Sequence, residues 1–168
     1  MNLATRGCAA YHQGRWSHCG PAGPPGFPAM IPLFVYGTLK RGFPLHEMGL
    51  AGAHFVGAHQ TVDTYPMFVV GRWYTPMMLD EPGTGLHVQG ELYEIVEAAL
   101  SALDAMEHMG EPGNSRISTV VEPLGGGSRV RAIVYIKAPE LVAPRHTGFL
   151  DDYQDKRFIP PWSRGGAE

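Results

Sequence analysis

Residues suited to chemistry occur first in the glycine-bounded turn from Tyr36 to Gly42, which directly follows a short apolar strand. At the end of such a strand, unpaired N–H groups of Gly37, Thr38 and Leu39 would form a concave anion site. Glycine also lets the main chain approach a ligand closely or take a positive φ. The site suits a carboxylate better than a phosphate, because Lys40 precedes the second glycine and a Walker loop has the reverse order. An ordinary strand and turn explains the same residues.

The second candidate is Glu107, near the end of a helix that the pattern predicts from Glu97 to Met109. At about 100° per residue, Glu107 lies on the apolar stripe between Leu100 and Leu103, apart from the other charges. That position and the C-terminal end of the helix both disfavour a charged carboxylate. Carboxylates in such places are candidates for acid–base catalysis. A helix that frays at this end would leave Glu107 in water instead, and the residues alone leave both alternatives open.

Two motifs carry a resemblance to a known family. Tyr36–Gly42 is Tyr-Gly-Thr-Leu-Lys-Arg-Gly, and Leu103–Glu107 is Leu-Asp-Ala-Met-Glu. Both resemble signature motifs of the gamma-glutamylcyclotransferase superfamily, in the branch that includes gamma-glutamylamine cyclotransferase. Tyr65–Pro66 and Gly90–Tyr93 are similar to softer motifs of the same family. The resemblance covers about Leu33–Tyr135.

The resemblance implies an enzyme with an intramolecular reaction, in which the α-amine of a γ-glutamyl group attacks its own γ-carbonyl, expels an amine and leaves 5-oxoproline. Because nucleophile and electrophile belong to one molecule, positioning supplies most of the rate. The family's general acid/base corresponds to Glu107, and no metal or organic cofactor is implied. The implied substrate-binding residues are Tyr36, Gly37, Thr38, Leu39, Tyr65 and Tyr135. From the residues alone, both Tyr65 and Tyr135 fit packing positions.

Beyond Glu107 the similarity weakens. The family follows its glutamate with Tyr-x-Arg or Tyr-Arg, whereas residues 110–115 contain no aromatic residue before Arg116. Two other classes of function stay open. One is a non-catalytic protein that binds a small γ-glutamyl or amino-acid ligand in the same cavity, although a binder has no reason to bury an acid. The other is an interaction module that works through its terminal segments.

The elements around these residues predict an α+β fold. The segment from Phe43 to Ala53 predicts a loose turn or short helix. Apolar and alternating runs predict strands at Leu33–Tyr36, Phe55–Gln60, Thr61–Gly71, Trp73–Met78, Val88–Ile95, Ile117–Glu122 and Arg129–Ile136. The resemblance implies that they form a small, mostly closed mixed β-barrel with helices packed outside and a cavity at one mouth.

The chain has 168 residues, of which 44% are hydrophobic, and this fits one folded domain. Residues 1–29 lack periodicity and predict a flexible extension, which a true tail or an overlong gene model would both explain. We expect the domain to occupy residues 30–168 and to end in a Pro/Gly-rich tail, with Phe149–Tyr153 as a short wrapping segment.

Composition limits the classes of binding partner and the cellular compartment that we expect for the protein. A net charge of -3 gives no broad basic surface for nucleic acid or an anionic membrane, so we expect a small-molecule γ-glutamyl ligand. No apolar run of about eighteen residues and no signal peptide pattern occurs, which predicts a cytoplasmic protein. Cys8 and Cys19 both precede the first strand and leave no cysteine framework for a disulfide or zinc site in the domain. We expect a monomer or weak dimer.

Overall fold

The computed structural model describes residues 28–165, and the expected N-terminal extension lies outside them except for its last two residues. Five strands close into a barrel in the order β1, β5, β2, β6, β7, while β3 and β4 form a separate two-stranded sheet. The elements are β1 (Ile31–Val35), α1 (His46–Leu50), β2 (His54–Tyr65), β3 (Met67–Val70), β4 (Thr75–Met78), β5 (Leu86–Ile95), α2 (Glu97–Met106), β6 (Asn114–Pro123) and β7 (Val130–Lys137). The α+β fold with a small mixed barrel is confirmed.

Strand β1 determines how the barrel and the helices pack. It runs antiparallel to β5 and parallel to β7, so the barrel is mixed. Successive side chains of a strand point to opposite faces. Phe34 accordingly belongs to the cluster inside the barrel, whereas Leu33 and Val35 pack outside with Leu100 and Leu103 of α2. The helices therefore cover the outside of the barrel at the strand that leads into the glycine-bounded turn.

Gly90 allows the narrow barrel to close beside β1. A Cβ atom on this residue would clash with the backbone carbonyl oxygen of Val35 and would lie 2.7 Å from the ring of Phe34. Contacts this short require a neighbour to move, and the Phe34 ring is buried in a packed core. The glycine of the Gly90–Tyr93 motif therefore makes room for an aromatic side chain.

Several element boundaries differ from the sequence-based predictions, and two of the differences have a clear physical reason. Helix α2 ends at Met106 rather than Met109, because His108 adopts a φ of 55° and Gly110 one of 102°, which interrupts the helix. The two strands expected on either side of Thr61 form the continuous strand β2, which ends at Tyr65. Pro66 ends it because proline has no N–H group to donate to the ladder.

The C-terminal segment packs against the barrel before it reaches β4. The N–H group of Leu150 donates to the carbonyl oxygen of Met67 at 2.9 Å, and Tyr153 is fully buried in the cluster inside the barrel. Further on, the N–H group of Ile159 donates to the carbonyl oxygen of Trp73 at 3.0 Å. This bond places the end of the chain beside the turn that precedes β4. None of the helices within residues 28–165 has the length and apolar content needed to cross a bilayer.

Candidate active site

A cavity of about 340 Å³ lies where the end of β1, the C-terminus of α2 and the start of β4 meet. One part of its lining, the loop–helix wall, consists of Tyr36, Gly37, Thr38, Leu39, Glu107, Tyr135 and Lys137. A second part, the C-terminal wall, consists of Trp73, Phe158, Pro161 and Arg164. Of the residues expected to form the site, only Tyr65 is absent from the lining.

The turn after β1 brings unpaired backbone donors to the cavity. The N–H group of Lys40 donates to the Gly37 carbonyl oxygen at 3.0 Å, and that of Leu45 donates to the Thr38 carbonyl oxygen at 3.1 Å. Within residues 28–165, the N–H groups of Gly37, Thr38 and Leu39 have no hydrogen-bond acceptor. Adjacent free N–H groups of this kind can hold an anionic group without any charged side chain.

Gly37 is required for close packing. A Cβ atom on Gly37 would lie 2.7 Å from the Cγ atom of Pro76 in β4. Gly37 does not adopt a positive φ, which was the other expected reason for a glycine at this position. In this turn the positive φ, of 77°, belongs to Gly42. Strand β4 therefore forms the side of the cavity next to the turn, and only glycine leaves it enough room.

The two basic residues of the turn contribute to the fold and do not line the cavity. Lys40 is buried, forms an ion pair with Asp152 and donates to the carbonyl oxygen of Tyr153 at 2.9 Å. The guanidinium group of Arg41 lies 3.4 Å from the centre of the Phe55 ring. Lys40 thus ties the turn to the C-terminal segment.

Glu107 follows the last residue of α2, and its N–H group donates to the Leu103 carbonyl oxygen at 2.8 Å. Its carboxylate oxygen Oε2 lies 3.3 Å from Nζ of Lys137, and the Glu107 side chain is 22% exposed. The helix pattern separates Glu107 from the other charges of the helix, and Lys137 adds a charge from a different element, which that pattern does not include. An ammonium group from β7 balances the carboxylate at the edge of the cavity.

Tyr36 contributes a neutral hydroxyl group. Burial raises the pKa of Tyr36, and the nearby charge of Glu107 raises it further. The hydroxyl oxygen accepts a hydrogen bond from the N–H group of Met78 at 3.2 Å. In the described part of the chain no group accepts the hydroxyl hydrogen, so Tyr36 has a donor left for a ligand.

Tyr135 belongs to a network that ties α2 to the barrel. Its hydroxyl group donates to Oδ1 of Asp104 at 2.7 Å, and Nη1 of Arg116 donates to Oδ1 and Oδ2 at 2.7 and 2.6 Å. Burial, together with the hydrogen bond to Asp104, raises the pKa of Tyr135. Arg116 and Tyr135 face each other in the β6–β7 register. The network therefore positions the helix end that carries Glu107, with the aromatic residue supplied by β7 instead of the loop before Arg116.

Tyr65 is not part of this cavity. It is 3% exposed, it belongs to the cluster inside the barrel, and its hydroxyl oxygen lies 3.1 Å from Oγ1 of Thr119. The substrate-binding role implied by the Tyr65–Pro66 motif has no geometric support, and Tyr65 is left out of the proposed site. Its position agrees with the packing role that the residue pattern favoured.

Two cationic residues of the lining, Lys137 and Arg164, were not among the residues expected to form the site. Tyr135 and Lys137 are two residues apart in β7 and so share one face, which was a usable signal for Lys137. Arg164 belongs to a segment interpreted as a tail, and no spacing pattern connects it to the turn.

No group of three or more His, Cys, Asp or Glu side chains in residues 28–165 is arranged to hold a metal ion.

The Glu107 carboxylate beside the backbone N–H groups of the turn, on a small mixed barrel, fits the family that the two motifs resemble. The comparisons with known proteins identify the same class. The family model described as gamma-glutamyl cyclotransferase, AIG2-like, matches residues 33–156. A gamma-glutamylaminecyclotransferase of Bos taurus is 37% identical over 135 residues, which are 76% of this chain and 77% of that protein. The corresponding protein of Rattus norvegicus is 38% identical over 71% of this chain and 89% of its own.

A solved structure supports the same assignment. The crystal structure of an AIG2-like protein from Mus musculus matches with a TM-score of 0.70 and 33% identity, covering 80% of this chain and 99% of that one. The chain belongs to the gamma-glutamyl cyclotransferase, AIG2-like family. The matched range contains the whole loop–helix wall, whereas Phe158, Pro161 and Arg164 lie beyond it.

Proposed function

We propose that this protein is a γ-glutamylamine cyclotransferase that converts a γ-glutamyl amine into 5-oxoproline and a free amine. The observation that carries the proposal is the meeting of the Glu107 carboxylate and the free N–H groups of Gly37, Thr38 and Leu39 in one cavity. Those two features supply a proton acceptor and an anion site, which are the two requirements of an intramolecular acyl transfer.

In the reaction, Glu107 accepts a proton from the α-ammonium group of the substrate. The freed nitrogen lone pair attacks the γ-carbonyl carbon, and a five-membered ring forms. Glu107 returns this proton to the leaving nitrogen, and the bond from the carbon to that nitrogen breaks. A second proton then passes from the ring nitrogen through Glu107 to the released amine. The α-nitrogen loses two protons in becoming the lactam N–H, and the leaving nitrogen gains two in departing as an ammonium ion. The reaction therefore consumes no water or other co-reactant, and the proposal includes no metal ion or organic cofactor.

Other residues of the loop–helix wall bind the substrate. The N–H groups of Gly37, Thr38 and Leu39 hold the substrate's α-carboxylate or the oxyanion that develops on the γ-carbonyl oxygen. The neutral Tyr36 hydroxyl group offers one further donor beside them. Folding the substrate so that its two ends meet is the step in which binding supplies most of the rate.

Lys137 and Tyr135 act on Glu107 and not on the reacting atoms. The Lys137 ammonium group, 3.3 Å from Oε2, limits where the carboxylate can swing. Tyr135 holds Asp104 in α2, two residues before Met106, the last residue of the helix. A base that must stay within hydrogen-bond reach of one substrate proton benefits from both constraints.

The proposal extends to the setting of the reaction. We propose a cytoplasmic enzyme that acts on a small molecule as a monomer or weak dimer and that binds neither nucleic acid nor membrane. A net charge of -3 supports the last two points, because it provides no broad basic surface.

The test is direct. Purified protein is incubated with a panel of γ-glutamyl amines, and 5-oxoproline and the released amine are quantified against samples without protein. Equal amounts of both products, above the spontaneous rate, are the expected result. Saturable binding of these compounds without any release of 5-oxoproline would contradict the proposal and would support the non-catalytic binding protein instead.

A further inference from the structure

Arg164 is a cation of the cavity lining for which the proposed reaction has no use. Its Nε group donates to the carbonyl oxygen of Ile159 at 2.9 Å, and its guanidinium carbon lies 5.1 Å from the Trp73 ring and 5.7 Å from the Phe158 ring. These contacts hold the guanidinium plane in the C-terminal wall. They also leave both Nη groups without an acceptor in the described range, residues 28–165.

The charges around Arg164 favour an incoming anion. The other fixed cation in the lining, Lys137, is paired with Glu107, whereas no carboxylate of residues 28–165 forms an ion pair with Arg164. Burial, followed by the nearby positive charge of Arg72, lowers the pKa of Arg164. Arginine stays protonated even so, and two free Nη groups in one plane match the two oxygens of a carboxylate.

The position of Arg164 in the cavity indicates which part of the substrate would carry the carboxylate. Pro76 packs against Gly37 at the anion site, and Trp73 precedes Pro76 by three residues, so at most about 11 Å of chain separates them. Arg164 and the turn line the same cavity of about 340 Å³, a volume that suits one small molecule. A substrate whose γ-glutamyl part occupies the turn reaches Arg164 with its leaving amine.

We propose that Arg164 is a specificity-determining residue that binds a carboxylate on the leaving amine, so that the enzyme prefers γ-glutamyl derivatives of amino acids over those of simple amines. The inference rests on the proposed function for the placement of the γ-glutamyl part. Arg164 lies beyond residues 33–156, the range that matches the family model.

The test uses two compounds that differ by one carboxylate, Nε-(γ-glutamyl)lysine and γ-glutamylcadaverine. Their binding is measured by calorimetry in a Glu107→Gln background, so that turnover does not interfere, with and without Arg164→Gln. We expect the lysine compound to bind roughly tenfold more tightly, and Arg164→Gln to reduce the difference to about twofold or less. Arg72→Gln is the matched control, because Arg72 contacts the same Trp73 ring, at 4.4 Å, but does not line the cavity.

Kinetics in the Glu107 protein give the second measurement. Arg164→Gln should raise KM for the lysine compound roughly tenfold while kcat, and KM for the cadaverine compound, change little. An equal loss of affinity for both compounds would mean that Arg164 binds the γ-glutamyl part, and a preserved tenfold difference would mean that it binds neither. Either outcome overturns the inference. Absence of 5-oxoproline release contradicts the proposed function alone, since the calorimetry still decides the role of Arg164.

Discussion

The two walls of the cavity are built in different ways. The loop–helix wall uses backbone N–H groups at the end of a barrel strand, a carboxylate at the end of α2, and side chains of β7, all within the residues that match the family. In the C-terminal wall, Nε of Arg164 donates to the carbonyl oxygen of Ile159, and the N–H group of Ile159 donates to the carbonyl oxygen of Trp73. The loop–helix wall, which is built on a barrel strand and a helix, suits the chemistry that every substrate shares. The C-terminal wall suits selection among leaving groups.

The largest expected effect concerns the loop–helix wall. Glu107→Gln keeps the volume of the side chain but cannot exchange protons, so kcat should fall by about two to four orders of magnitude. The factor should be similar for every γ-glutamyl amine, in contrast to the substrate-dependent effect of Arg164→Gln. Turnover is measured as 5-oxoproline release.

Glu111→Gln is the control for this prediction. Glu111 follows Glu107 by four residues, and its side chain is 68% exposed. The Glu111→Gln variant therefore loses the same negative charge at a position outside the cavity. Its loss should leave turnover unchanged. A Glu107→Gln enzyme that retains more than about a tenth of wild-type activity would remove Glu107 from the role of acid/base.

An intermediate effect is expected at the contact between the turn and β4. Gly37→Ala places a Cβ atom 2.7 Å from Cγ of Pro76 and should displace the N–H groups, raising KM about tenfold. Adding Pro76→Ala removes the atom in the way and should recover most of the loss. Steady-state kinetics of the two single variants and the double variant measure this. A Gly37→Ala enzyme with unchanged KM would show that the turn only connects β1 to α1.

The smallest effect concerns the positioning of Glu107 through the network around Asp104. Tyr135→Phe removes one hydrogen bond to Asp104 and should cost about 1 kcal/mol of stability and a few-fold in kcat, with KM nearly unchanged. Tyr65→Phe is the matched control for activity, because the Tyr65 hydroxyl group lies inside the barrel and not in the cavity. An equal loss of kcat in the two variants would contradict the assigned role of Tyr135.

The difference in stability between wild type and Tyr135→Phe should depend on pH. Burial raises the pKa of Tyr135 in the native state, whereas in the unfolded chain it is about 10. Above that pH the native state holds a proton that the unfolded state releases, so the contribution of the hydroxyl group to stability falls as pH rises. The stability advantage of wild type over Tyr135→Phe should therefore shrink between about pH 8 and pH 11 in urea denaturation. An advantage that stays constant would contradict this.

Local patterns in the sequence predicted the strand and the helix of the loop–helix wall and marked the turn and Glu107 as candidates, and the family resemblance implied their roles. The apolar run before Gly37 predicts a buried strand, and residues adjacent in a turn must present adjacent N–H groups, so no tertiary information was needed for that part. The helix that carries Glu107 follows from its periodicity, though its end moved by three residues because His108 and Gly110 adopt positive φ values.

Tertiary structure alone decided the partners of those residues. The ion pair of Glu107 with Lys137 joins positions 30 residues apart, and the bond between Lys40 and the Tyr153 carbonyl oxygen joins positions 113 apart. Such pairs depend on how the barrel closes and on the path of the C-terminal segment, and no periodicity encodes either. The same reason explains why Tyr65 lies inside the barrel and why Arg164, in a segment with no pattern of its own, lines the cavity.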